Sequence, residues 1–135
     1  MNAIICLDEK NGMLFNKRRQ SRDSLLNQKI IALSQGKKLW MNSYSAKLFA
    51  NEDILMDDSL PEKAEKGDFC FFEQEIDRSV IDKAESFYVF LWNRHYPADV
   101  YFKFDLAQEG FVLAETEEFA GSSHEKITLN IYRRK

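Results

Sequence analysis

Asn42, Ser43, Tyr44 and Ser45 follow directly on the apolar triplet Leu39-Trp40-Met41. A buried strand that runs straight into hydrogen-bonding, helix-capping residues is how an open α/β sheet presents a ligand crevice. The residue types suit holding a polar ligand, with Asn42 and Ser45 at its rim. Other reactive sets are weaker. His95 and His124 are the only histidines, and no His-x-His or His-Glu-x-x-His grouping exists, which excludes the familiar hydrolytic zinc sites. No Gly-x-Ser-x-Gly elbow or phosphate-loop motif is present. Glu52, Asp53, Asp57 and Asp58 lack the glycine and closing glutamate of a calcium loop and read as surface charge, so no metal is expected. Lys10, Lys17, Arg18, Arg19 and Arg22 form a basic cluster within an acidic protein. It reads as a solvated loop, with contact to an anionic ligand or RNA as the alternative. Trp40, Trp92, Tyr44 and Tyr96 read as core and rim aromatics.

The elements that would position these groups follow from periodicity. Residues 3–7, Ala-Ile-Ile-Cys-Leu, are a continuous apolar run closed by Asp8 and the turn pair Asn11-Gly12, which predicts a fully buried strand. Leu25, Leu26, Ile30 and Leu33 recur at helical spacing, with Ser21 as the expected N-cap and Gly36 as the stop. Residues 39–41 give a second strand, followed by a helix capped by Ser43 or Ser45 that carries Leu48 and Phe49. The highly charged stretch 51–67, with Pro61 in its middle, is expected to be a connecting loop. Residues 69–72 resume as a buried strand, Asp77 caps a short helix with Val80, Ile81 and Ala84, and 87–92 is another strand. Residues 111–114 and 126–132 read as two antiparallel arms, the second alternating Ile127, Leu129 and Ile131 with Thr128, Asn130 and Tyr132. Strand–helix alternation with a strand-rich end predicts a doubly wound α/β sheet in a single domain over residues 1–135.

With 44% hydrophobic and 30% charged residues, the chain is neither disordered nor membrane-like in composition. Eleven Phe point to a well-filled interior. A net charge of −3 argues against a dedicated nucleic-acid binder, whose affinity rests on Lys and Arg neutralising phosphates. No apolar run approaches the roughly 20 residues of a membrane helix. Residues 1–6 have no basic region before their short apolar run and make a poor signal peptide. Cys6 and Cys70 each sit in an apolar run and read as free thiols of a reducing, cytoplasmic compartment.

Several motifs, in order along the whole chain, resemble those of the dihydrofolate reductase family. Residues 7–13, Leu-Asp-Glu-Lys-Asn-Gly-Met, are similar to its first strand-to-loop turn. Ser21-Arg22-Asp23 stands where the family has Leu-Pro-x-Asp or Glu, and Met41-Asn42-Ser43-Tyr44-Ser45 where it has Met-Gly-Arg-x-Thr. Val80-Ile81-Asp82-Lys83-Ala84 resembles Phe-Leu-Pro-x-Ala, Ala98-Asp99-Val100-Tyr101-Phe102 resembles Gly-Asp-Thr-x-Phe, and residues 127–135 resemble the closing strand with its Glu-Arg-Arg end. The resemblance implies a dihydrofolate reductase-like doubly wound mixed sheet with helices on both faces and an antiparallel C-terminal edge, trimmed between Phe49 and Phe69.

That family reduces dihydrofolate with hydride from NADPH, using one buried carboxylate to hold the pterin. Asp23 inherits that catalytic position, where burial would raise its pKa; its other reading is a charge complementing a helix dipole. The ligand-binding residues implied are Ile5, Leu26, Asn42 and Ser45. The threonine partner of the carboxylate is replaced by Phe90, which cannot hydrogen-bond. Residues 72–75, Phe-Glu-Gln-Glu, stand where the family has the paired glycines that admit a pyrophosphate. Ser43 replaces the arginine that meets the 2′-phosphate, and Ser45 alone keeps a hydroxyl on the cofactor side. The expectation is a divergent, dihydrofolate reductase-like protein, a pseudoenzyme in character, that lacks NADPH-dependent reduction and binds a small polar heterocycle or acts in regulation. Two alternatives are an active reductase with Asp23 as proton relay, and an interaction module or homodimer that pairs through an exposed sheet edge.

Overall fold

A computed structural model describes residues 1–49 and 52–135. The expected connecting stretch 51–67 therefore begins with one residue outside the described ones. The central sheet has seven strands: β1 (Asn2–Leu7), β4 (Leu39–Met41), β5 (Leu55–Met56), β6 (Phe69–Phe71), β7 (Ser86–Leu91), β9 (Phe111–Phe119) and β10 (Ile127–Arg134), in the order β5-β4-β6-β1-β7-β10-β9. The first five in that order run parallel. β10 pairs antiparallel with both β7 and β9, which makes the antiparallel C-terminal edge.

The inner strands are apolar on both faces because both faces are covered. On β1, Ala3, Ile5 and Leu7 join one buried cluster and Ile4 the other. α1 (Ser24–Leu33) supplies Leu26 and Ile30 to the Ile4 side, where α2 (Ser43–Ala46) and the 3-10 turn Lys47–Phe49 also pack. α3 (Arg78–Lys83) supplies Val80 and Ile81 to the opposite face. On β10, Ile127, Leu129 and Ile131 are buried while the intervening residues are half-buried, the period of two expected of a sheet margin.

A second, three-stranded sheet, β3-β2-β8, was not evident in the sequence. It consists of β2 (Gly12–Phe15), β3 (Arg18–Arg19) and β8 (Val100–Tyr101). Asn16 and Lys17 both have positive φ, 54° and 63°, so β2 and β3 join in a two-residue hairpin turn whose second position lacks the usual glycine. β5, inside the expected 51–67 loop, is likewise only two residues long.

The helix caps differ from expectation. Asp23, not Ser21, caps α1, and Asn42, not Ser43 or Ser45, caps α2. In both cases the structure selects the residue immediately before the helix, the one whose side chain can reach the first free amides. Asp77 caps α3 as expected, and Arg134 closes the far end of that helix by donating from Nε to Ala84 O at 2.9 Å. Both cysteines are free; Cys70 is buried and Cys6 half-buried, and burial pushes the Cys70 thiol up to about 12.

Phe87 is fully buried, with ring centroids 5.9 Å from Phe102 and 5.3 Å from Phe111, so it joins the sheet to the 102–111 segment. Phe87→Ala is expected to cost about 3–5 kcal/mol of stability, read from urea unfolding. Val112→Thr, on the exposed face of β9, should stay within about 0.5 kcal/mol of the parent protein.

Candidate functional site

β4 and β6 are parallel neighbours, so the residues that follow them emerge at the same edge of the sheet. After β4 come Asn42, Ser43, Tyr44 and Ser45; after β6 come Phe72, Glu73 and Gln74. The two segments bind each other. Asn42 Nδ2 donates to Gln74 Oε1 at 2.8 Å, and the fully buried Ser45 donates from Oγ to Glu73 Oε1 at 2.7 Å. Arg19 reaches in from β3 and forks onto the same carboxylate, Nε to Oε2 at 2.8 Å and Nη2 to Oε1 at 3.0 Å. Its guanidinium lies 4.2 Å from the Tyr44 ring centroid, and its backbone N–H donates to Tyr44 Oη at 2.9 Å. The planar fork matches a carboxylate in a way a lysine ammonium would not. Beneath the pair, burial and the Glu73 charge push the Cys6 thiol well above its ordinary value, against the opposing effect of Arg19.

Around this cluster remains a crevice of about 530 Å³ whose walls include Leu14, Lys17, Asn42, Tyr44, Glu73 and Asp99. A second hollow, about 320 Å³, lies between α1 and the 3-10 turn and is lined by Asn27, Gln28, Ile31, Leu48 and Phe49 among others. It corresponds to the space between the first two helices.

Asp23 is 2% exposed and lies apart from the Glu73 cluster, bordering a hollow with Arg22, Asn27, Lys47 and Ser122. Its Oδ1 accepts from the backbone N–H groups of Leu25, Leu26 and Ser122 at 3.0, 3.2 and 2.9 Å, and from Ser122 Oγ at 3.1 Å. Its Oδ2 accepts from Ser123 N at 2.8 Å, Ser123 Oγ at 3.2 Å and His124 Nδ1 at 2.9 Å. Desolvation alone would raise the carboxyl pKa. The bonds from Ser123, Ser122, His124 and Leu26 outweigh it and hold the group far below the usual carboxylate range. Because the ionised oxygen can only accept, His124 carries its proton on Nδ1 and turns Nε2 toward Tyr96 Oη at 2.9 Å and Ser21 Oγ at 3.1 Å. The imidazole stacks on Trp92 with centroids 4.7 Å apart.

The residues singled out from sequence are therefore not gathered in one place. Asn42 and Ser45 meet at the strand ends. Ile5 and Leu26 are fully buried on opposite faces of the sheet. Asp23 anchors the 121–124 turn, and its pKa falls where burial alone was expected to raise it. Ser43 is exposed and gives both its backbone N–H and its hydroxyl to Asp58 Oδ1, at 2.7 and 2.9 Å. Of the basic cluster, Arg19 is paired, whereas Lys10, Lys17, Arg18 and Arg22 are exposed. Sequence reasoning missed Arg19 as the partner of Glu73, and it missed Ser122, Ser123 and His124. The Gly-Ser-Ser-His turn between two strands was the one available signal for the latter.

The depressed Asp23 pKa fixes the sign of its pH effect. Its stabilisation is fully present above the unfolded carboxyl value, about 3.9, and drains away as pH falls below that toward the folded value. Asp23→Asn should cost about 3–5 kcal/mol at pH 7, as removal of one member of a buried charged network does. The gap from the parent protein should narrow in urea titrations repeated from pH 5 down to pH 2. Gly121→Ala should also destabilise, because a Cβ there presses into the Asp23 carboxylate.

Protein-family models give no match to this chain, and no curated protein matches it. Among solved structures, the chain is similar to the dihydrofolate reductase from Enterococcus faecalis complexed with NADP(H) and RAB-propyl. The TM-score is 0.72 over 99% of this chain and 95% of that one, at 12% sequence identity. Among the described residues, no helix is long and apolar enough to cross a membrane. A seven-stranded mixed sheet with an antiparallel C-terminal edge, covered by helices on both faces and superposing over nearly its whole length, gives this chain the dihydrofolate reductase fold.

Proposed function

We propose that this chain is a divergent protein of the dihydrofolate reductase fold that does not carry out NADPH-dependent reduction. It acts instead as a binding or regulatory protein for a small, flat, polar molecule seated at the strand ends. The observation that carries this reading is the Glu73 carboxylate, held by Arg19 and Ser45 where the resemblance puts a glycine cradle.

A pyrophosphate needs free backbone amides and no side chain in its way. Phe72 is 1% exposed and belongs to the core, and Glu73 brings a negative charge to the place where two phosphates would lie. A bare carboxylate and a phosphate 4 Å apart repel by about 4 kcal/mol at an effective dielectric near 20; the Arg19 guanidinium reduces this, so the bulk of the two side chains is the larger obstacle. Ser43, at the position of the phosphate-meeting arginine, already serves Asp58. The residues do not fit the dinucleotide that the Enterococcus faecalis enzyme holds. On the substrate side, Asp23 accepts seven hydrogen-bond contacts from its own chain and has no oxygen left for a pterin.

What the strand ends do offer is a crevice of about 530 Å³ with an aromatic wall, Tyr44, and the amides of Asn42 and Gln74. Such a surface favours a flat ring that carries donors and acceptors. Thermal unfolding is the direct test. NADPH at millimolar concentration should leave the midpoint unchanged, whereas a ligand at 100 times its Kd would add about 2.7 kcal/mol. Flat amino-substituted heterocycles should raise the midpoint, and Tyr44→Ala should remove that rise. Oxidation of NADPH in the presence of dihydrofolate, abolished by Asp23→Asn, is the result that overturns the reading.

A further inference from the structure

We propose that Arg19 is an in-chain stand-in for the ligand: the Glu73–Tyr44–Ser45 cluster is a recognition site for a planar amidinium or guanidinium cation, and the β2–β3 hairpin closes it with a guanidinium of its own. This inference rests on the reading that the strand-end crevice binds a small molecule, and it names the chemical class.

The cluster has the parts of a cation site. A carboxylate presents two oxygens to two parallel N–H donors at 2.8 and 3.0 Å. An aromatic face lies 4.2 Å from the cationic carbon. The buried Ser45 hydroxyl fixes the carboxylate from the other side at 2.7 Å. Fork, ring and orienting hydroxyl together select a flat delocalised cation over a compact ammonium. Asp99 and Lys17, on the wall of the same crevice, offset each other in charge, so selection rests on the fork and the ring.

The group now filling the site is held by its side chain, its ring contact and one backbone bond to Tyr44 Oη, and the strand that carries it is short. β3 is two residues long and pairs with β2 only through Leu14–Arg19 and Phe15–Arg18. The hairpin tip is exposed: Phe15 is 46% accessible, and Asn16, Lys17 and Arg18 all face solvent. Arg19 can swing out without uncovering a core, whereas Glu73 follows directly on Phe72, whose N–H donates to Ile4 O at 2.9 Å, and keeps its bond from Ser45. Its carboxylate, 10% exposed in its side chain, would then sit beside the ring and hydroxyl with no cation. A buried carboxylate without a cation is costly, so an incoming amidinium regains what Arg19 gave up. Ligand and hairpin tip compete for one site, so occupancy reports on the position of the tip.

The probe is benzamidinium, titrated calorimetrically into the parent protein, Arg19→Met, Arg19→Lys and Glu73→Gln, with circular dichroism confirming that each folds. Arg19→Met keeps the aliphatic stem and vacates the fork, so benzamidinium should bind it at least tenfold more tightly than it binds the parent. Arg19→Lys, which keeps the charge without the fork, should fall between them. Adding Glu73→Gln to Arg19→Met should abolish the gain. Equal affinity in the parent and Arg19→Met, or affinity that survives Glu73→Gln, would overturn the proposal and leave Arg19 a purely structural ion-pair partner. If neutral heterocycles still stabilise the parent while benzamidinium fails on Arg19→Met, only this inference fails. If neither binds, the crevice reading fails with it.

Discussion

A carboxylate at the open end of a parallel sheet must find cations and hydroxyls, and Glu73 finds them within its own chain. Parallel strands β4, β6 and β1 bring several chain segments to one edge, and that edge is where a doubly wound sheet holds ligands. Here it is tied shut by a fork from Arg19, a hydroxyl from Ser45 and an amide pair between Asn42 and Gln74. The β2–β3 hairpin, paired with β8 on its other side, is thereby joined to the strand ends, and the remaining crevice takes its shape from Tyr44 and the hairpin.

The second polar centre, around Asp23, obeys the same logic with a different outcome. Three free amides at the start of α1 are satisfied from outside the helix ladder, Leu25 and Leu26 by the Asp23 side chain and Ser24 by Ser122 Oγ, and Asn27 opens the ladder on the Asp23 carbonyl. The same carboxylate draws in the 121–124 turn, so the β9–β10 hairpin, the start of α1 and the Trp92–Tyr96 segment meet at one buried anion. Phe90, where the resemblance expects a threonine, is buried edge-on to Phe119 and leaves that carboxylate no partner on β7. The two changes agree: one removes a side-chain partner and the other supplies substitutes from a turn about a hundred residues away.

Much of the framework was legible in the sequence because its signals are local. β1, β4, β6 and β7 are short apolar runs bounded by polar residues, and β10 alternates over its length, so each betrays itself by composition or period. β2, β3, β5 and β8 have two to four residues each, too few for any period to show, and they exist through tertiary pairing. Ser21 and Asp23 are both capping residues two positions apart, and only the exact start of the helix decides between them. The site was half legible. Asn42 and Ser45 stood out because they follow a strand, and Glu73 because it displaces a glycine pattern. Nothing local links Glu73 to Arg19, 54 residues earlier, or Asp23 to His124, 101 residues later. Those contacts are products of topology: they set Arg19 across the strand ends and ring the Asp23 carboxylate with donors from a distant turn.

The charged pair among the bonds that close the strand end is Arg19–Glu73, and a double-mutant cycle between Arg19→Met and Glu73→Gln measures it directly by urea unfolding. A forked, part-buried bond between two charged groups should give a coupling of about 1.5–3 kcal/mol. Additivity of the two single changes to within about 0.5 kcal/mol would contradict the account, because the crevice would then have no latch.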